Sequence, residues 1–267
     1  MRLIASLPWY DLPVLRPRLD AFWSVLSHKL SHELNKDLQR VNTDRLPLPD
    51  RLNRHTPLIE QWSHPGLLLS QCCGPDLFTP QARELVPIAR PVFGDLDCTP
   101  GQYFSYIVSA SHKPFRRHDL HRPSRFVINS ASSRSGCAAL FEWTTTNGID
   151  CDQVMISGSH ASSLEYLRNG SADVAAIDAH SWPLLDSRGI SIIGNSTEAP
   201  TPPFVMHRRS PITPGLMQAA LSSAIRQAGN AINIEAVIGA SRQTYQPISS
   251  AWHTHLPVGA SPCCALT

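Results

Sequence analysis

No window of the 267-residue chain approaches the roughly 18 consecutive apolar residues that a membrane-spanning helix needs. Charge of one sign is also scarce. The formal net charge is +2, too little to argue for nucleic acid or an anionic membrane surface as partner. Any anion selectivity must therefore be local. The cysteines (Cys72, Cys73, Cys98, Cys137, Cys151, Cys263, Cys264) are odd in number and lack the spacing of a zinc site, so their pattern assigns neither a metal nor a compartment. Residues 1–8 carry one basic side chain and an apolar stretch too short for a signal peptide; they read as the first strand of the fold. No internal repeat is present.

What is present describes a globular α/β chain. Apolar residues make up 42% and charged residues 16%, and the length suits one large domain or two ordinary ones. A strand over 3–7 empties into the aromatic and acidic loop Pro8-Trp9-Tyr10-Asp11. Leu19, Phe22, Trp23, Leu26, Leu30 and Leu34 then recur at helical spacing. Residues 35–57 read as an irregular surface connection with at most one helical turn. The apolar run 67–70 has the character of a buried parallel strand and ends in Gln71-Cys72-Cys73-Gly74. Further strands are expected over 85–92 and 103–110, joined by a loop over 94–101, and the basic run 113–118 reads as a solvated turn.

From Phe126 the alternation becomes regular. Strands over 126–130, 153–156, 173–177 and 190–194 alternate with helices over 134–146, 160–168 and 179–187, each helix stopped at or near a glycine. This pattern predicts a parallel unit with right-handed crossovers. A proline-rich linker over 195–203, a strand over 204–206, a helix over 214–229 and a less regular end containing Tyr245 follow.

The hydroxyl-rich turn after Phe126 is the main candidate site. Its helix start offers backbone N–H groups and partial positive charge, so Ser133, Ser135 and Gly136 can cradle an anion. Equally, Ser132 or Ser133 can simply cap the helix. Ligands of open α/β sheets bind at the carboxyl ends of strands. Two further strand ends carry polar groups: Ser157-Gly158-Ser159-His160 and Asp178. His160 would add a hydrogen bond or charge to an anion, and Asp178 would face a hydroxyl or ammonium elsewhere on the ligand. Ser159 and Asp178 as caps, and His160 as a first-turn surface residue, are the ordinary alternatives.

Several motifs together resemble one family. Ser133-Arg134-Ser135-Gly136, Ser157-Gly158-Ser159-His160 and the run from Gly170 through Asp173 to Asp178 look like the phosphate/phosphite/phosphonate substrate-binding proteins of ABC importers, as do the opening 5–11, the run 69–74 and the loop 98–103. The resemblance implies a type II periplasmic-binding fold of α/β class, with a ligand cleft between two lobes: 1–108 plus 196–267, and 109–195. It implies that Ser133, Ser135, Gly136 and His160 hold the anionic head group, that Asp178 meets the rest of the ligand, and that Tyr10 and Gln71 close from the other lobe by a hinge motion. It further implies a monomer without cofactor or metal, partnered by a small anionic ligand and an ABC permease. The implied location is periplasmic; without a leader in the sequence, a cytoplasmic one stays open. Arg134, Cys72, Pro75 and the basic His207-Arg208-Arg209 depart from the family pattern.

Two other classes compete. The same fold resembles pyrimidine-precursor synthases of thiamine metabolism, with Cys137 at a helix N-terminus as nucleophile, or His160 in its place, carrying the chemistry. A stand-alone ligand sensor is the other, although no helix-turn-helix precedes Leu3. A disulfide between Cys73 and Cys98 is a separate expectation and would mark an oxidising compartment.

Overall fold

The computed structural model describes residues 2–38, 47–112, 124–149 and 151–246; the basic run 113–118, part of the connection 35–57, and Cys263 and Cys264 lie outside the described residues. In chain order the elements are β1 (Ile4–Ala5), α1 (Arg16–Leu38), α2 (Leu58–Trp62), β2 (Leu67–Gln71), β3 (Leu85–Phe93), β4 (Gln102–Tyr103), β5 (Ser105–Ala110), β6 (Ser124–Ile128), α3 (Ala139–Thr146), β7 (Cys151–Ile156), α4 (His160–Arg168), β8 (Val174–Asp178), β9 (Ile190–Asn195), β10 (Ala199–Pro200), β11 (Phe204–His207), α5 (Pro214–Ala228) and β12 (Ile234–Gly239). Met1–Gly101 with Pro200–Tyr245 forms one compact unit, and Gln102–Ala199 supplies the other.

The first unit is built on a sheet of order β1-β2-β11-β3-β12. Strands β1 and β2 are parallel, β11 is antiparallel to β2 and β3, and β12 is antiparallel to β3. Leu67, Leu68 and Leu69 are all fully buried, which is why β2 reads as a continuous apolar run instead of an alternation. Helix α1 buries Leu19, Phe22, Trp23, Leu26 and Leu30 at spacings of three and four and packs on α5. Helix α5 starts where Thr213 accepts a hydrogen bond from the Leu216 amide and Pro214 takes the first helical position. Strand β12 lies in what reads from sequence as a less regular end. Ile234 is buried while Glu235 and Ala236 are exposed, the weak signal of a half-buried edge strand.

The second unit has the order β7-β6-β8-β5-β9. Strand β6 runs parallel to β7 and β8, and β5 is antiparallel to β8 and β9. The four strands expected to be parallel, β6 to β9, do run the same way, and β5, which lies before them in the chain, slots in antiparallel between β8 and β9. Side chains alternate across the sheet. Phe126, Ile128, Val174 and Ala176 pack with Leu140 and Phe141 of α3, while Val127, Ala175 and Ile177 pack with Leu164 and Leu167 of α4. The expected helix over 179–187 is also corrected, to a single 3-10 turn, Trp182–Leu184. Pro183 has no N–H to give to the Ala179 carbonyl, so a helix begun there does not run on through it. Among the described residues no helix is long and apolar enough to cross a membrane.

Candidate functional site

Because β6, β7 and β8 are parallel, their carboxyl ends share one edge of the sheet. At the end of β6 the chain enters a π-type turn, Arg134–Ala138, that continues into α3. The amides of Cys137 and Ala138 both donate to the Ser133 carbonyl, at 3.1 Å each, and such π-turns are frequent at functional sites. Ser133 Oγ accepts from the Gly136 N–H at 2.9 Å. The capping role therefore holds, yet a hydroxyl that accepts one bond still has its own proton to donate. Ser133 and Ser135 are both buried, with their hydroxyls 3.5 Å apart.

Ser135 Oγ lies 3.1 Å from His160 Nε2, joining the end of β6 to the start of α4. Burial of the imidazole lowers its pKa, against the opposing pull of the Asp178 charge and the Ala176 backbone. The lowered pKa favours the neutral ring near pH 7, in which one nitrogen carries a proton and the other does not. Asp178 is buried at the end of β8 and accepts from the Ser181 amide at 3.0 Å. Ser159 likewise caps α4, accepting from Ser162 N–H. The second unit thus brings Ser133, Ser135, Gly136 and His160 together, with Asp178 close enough to act on His160 electrostatically.

Two neighbours carry roles that their sequence positions did not announce. Asn129 packs its side chain over Gly136: a Cβ added there would sit 1.8 Å from Asn129 Oδ1. A side chain at position 136 would require Asn129 to turn aside. Arg134 is buried and its guanidinium pairs with Glu142 at 2.8 Å, while Glu142 also accepts from the Thr197 hydroxyl at 3.0 Å. The positive charge in the serine motif is thus compensated within the unit by a carboxylate.

In the first unit Tyr10 stands at a φ of 68°, in the left-handed region. A non-glycine residue held there costs on the order of 1–3 kcal/mol and persists only where its surroundings enforce it. Its ring meets Phe93 edge-on at 5.6 Å. Gln71 is buried, and its Oε1 accepts from the Trp9 amide at 3.2 Å, so Gln71 holds the residue before Tyr10. Asp11, on the other flank, is gripped by Arg54. Cys72 is buried in full, which pushes its thiol pKa up, with the Asp76 charge adding to the effect. No disulfide joins Cys73 to Cys98, which corrects the expectation of one between them. Cys137 is fully buried among Phe126, Leu140 and Phe141.

The solved structures similar to this chain share its fold at low identity. PhnD1 from Prochlorococcus marinus, solved with methylphosphonate, is 17% identical, with a TM-score of 0.63 over 94% of this chain and 97% of that one. A Xanthomonas citri protein bound to ATP is 14% identical, with a TM-score of 0.60 over 89% of this chain and 97% of that one. The binding-protein component of an ABC phosphonate transporter from Pseudomonas aeruginosa is 13% identical, with a TM-score of 0.61 over 93% and 84%. The fold is accordingly the mixed α/β fold of periplasmic binding proteins. A search among curated protein sequences returns no relative. The sequence model of the ABC-transporter phosphonate periplasmic substrate-binding proteins matches residues 77–252, more than half of the chain. The chain belongs to that family, whose members bind solutes for import.

Proposed function

We infer that the protein captures a small phosphorus oxyanion, a phosphonate, phosphite or phosphate, and presents it to an ABC permease. Ser133, Ser135 and the backbone around Gly136 take the anionic oxygens, and His160 adds a directed hydrogen bond. Asp178 meets a hydroxyl or ammonium on the remainder of the ligand. Tyr10, with Gln71 setting its loop, is the first unit's contribution. The observation that carries this reading is the Ser135–His160 contact of 3.1 Å at the helix start beyond β6. The methylphosphonate bound by PhnD1 supports a small ligand of this chemistry.

The protein works as a monomeric periplasmic carrier, without turnover. The complete burial of Cys137 supports this: a thiol packed among aromatic and aliphatic side chains is inert toward a ligand at the strand ends. A thermal-shift screen against phosphate, phosphite, alkylphosphonates, aminoalkylphosphonates, sulfonates and ATP tests the assignment, because selective binding raises the melting temperature by mass action. A rise with a small phosphorus oxyanion that shrinks in Ser135→Ala is expected. No rise with any of them, or an undiminished rise in Ser135→Ala, overturns it.

A further inference from the structure

We propose that Arg54 is a positioning residue that holds Tyr10 in its ligand-competent conformation by way of Asp11; this rests on the reading of Tyr10 as a ligand contact. Two independent features of the first unit lead there. The first is the backbone of Tyr10, an aromatic residue at a φ of 68°. Its carbonyl accepts from the Leu12 amide at 2.7 Å, closing a three-residue turn centred on Asp11, so the left-handed Tyr10 leads directly into the residue that Arg54 holds. The second is the grip on the next residue. Arg54 Nε sits 3.0 and 2.9 Å from the two carboxylate oxygens of Asp11, and Nη1 reaches Asp20 at 2.7 Å.

On the other flank Gln71 fixes the Trp9 amide. Tyr10 is therefore pinned on both sides, and its backbone can relax only if one pin is withdrawn. Arg54 is the stronger pin, since its bonds to Asp11 join two charged groups whereas Gln71 accepts one bond from a neutral amide. The charge balance argues against a direct anion-binding role for the cluster. Arg16 lies 3.5 Å from Asp11, so two arginines face two carboxylates and little field remains to attract a ligand. The value of the cluster lies in the geometry it enforces.

The test is a double-mutant cycle on the full chain, with Arg54→Met, Tyr10→Gly, the double variant and Asp20→Asn. It is read by calorimetric titration with methylphosphonate and by urea unfolding. Arg54→Met is expected to weaken binding about tenfold, while adding it to Tyr10→Gly weakens binding no further. Asp20→Asn, which removes only the outer leg, is expected to lower the unfolding midpoint and leave affinity intact. An equal loss of affinity from Arg54→Met in both backgrounds, or from Asp20→Asn, overturns the proposal. The unfolding cycle decides without any ligand: glycine at position 10 relieves the left-handed backbone only while Arg54 enforces it, so the midpoint shifts must be non-additive, and additive shifts overturn the proposal. If Tyr10→Gly alone leaves affinity unchanged, the ligand role of Tyr10 fails, and the unfolding cycle still judges Arg54.

Discussion

The two units dispose similar strand-end groups in different ways. In the second, the polar groups at the ends of β6 and β7 meet one another: Ser133 caps its own turn, Ser135 reaches His160, and Asp178 biases the imidazole. In the first, Gln71 holds Trp9 and Asp11 holds Arg54, so the groups beside Tyr10 serve the shape of the loop. The contrast teaches that a row of polar residues after a strand can do two things, gather with the groups at a neighbouring strand end or brace an adjoining loop. Hydrogen-bond partners tell them apart; residue type does not.

The contrast can be broken from the side expected to matter most. Gly136→Ala drives a methyl against the Asn129 side-chain oxygen and displaces that side chain within the serine turn, so affinity for a small phosphorus oxyanion is expected to fall by about a hundredfold, measured by titration calorimetry. Ser135→Ala removes one hydrogen bond to a charged ligand, about 1.5–3 kcal/mol, and should weaken binding roughly ten- to a hundredfold. Tyr10→Phe, on the bracing side, should cost only about 0.5–1.5 kcal/mol of binding through its hydroxyl. An effect larger than that of Ser135→Ala would reverse the assignment of the two units.

The smallest expected effect is on pH dependence. Burial lowers the folded-state pKa of His160 below its unfolded value, so below about pH 6.5 the unfolded chain takes up a proton that the folded ring refuses. Stability is therefore lost as pH falls from about 6.5 toward the folded pKa. Melting temperatures of wild type and His160→Gln across that range should converge at the acid end, and parallel curves contradict the burial of a neutral ring. A bound anion favours the protonated ring, so oxyanion affinity should rise over the same interval.

Much of the second unit was legible in sequence because its signals were local. Helix α4, His160–Arg168, falls where the apolar spacing and Asn169-Gly170 put it, and the serine turn announced a helix start. The sheet was less legible. Nothing in the run of β5 reveals that it enters antiparallel between β8 and β9, since its buried Ile107 and Val108 would suit either direction. The helix expected over 179–187 failed against Pro183, which was in plain view. In the site, Ser133, Ser135, Gly136 and His160 were readable as strand-end groups. The pairing of Arg134 with Glu142, the packing of Asn129 over Gly136, and the grip of Arg54 on Asp11 across 43 residues of sequence were not. These are contacts set by tertiary structure, and only the aromatic and acidic character of the Tyr10–Asp11 loop hinted at the last of them.

The central claim is that the turn after β6 binds the anionic head group. Calorimetric titration of the wild-type protein and Ser135→Ala with methylphosphonate, in phosphate-free buffer, tests it most directly. One-to-one binding by the wild type, weakened at least about tenfold in a Ser135→Ala variant that melts within a few degrees of it, is the predicted result. Equal affinity in the two proteins, or no heat of binding in the wild type, contradicts it.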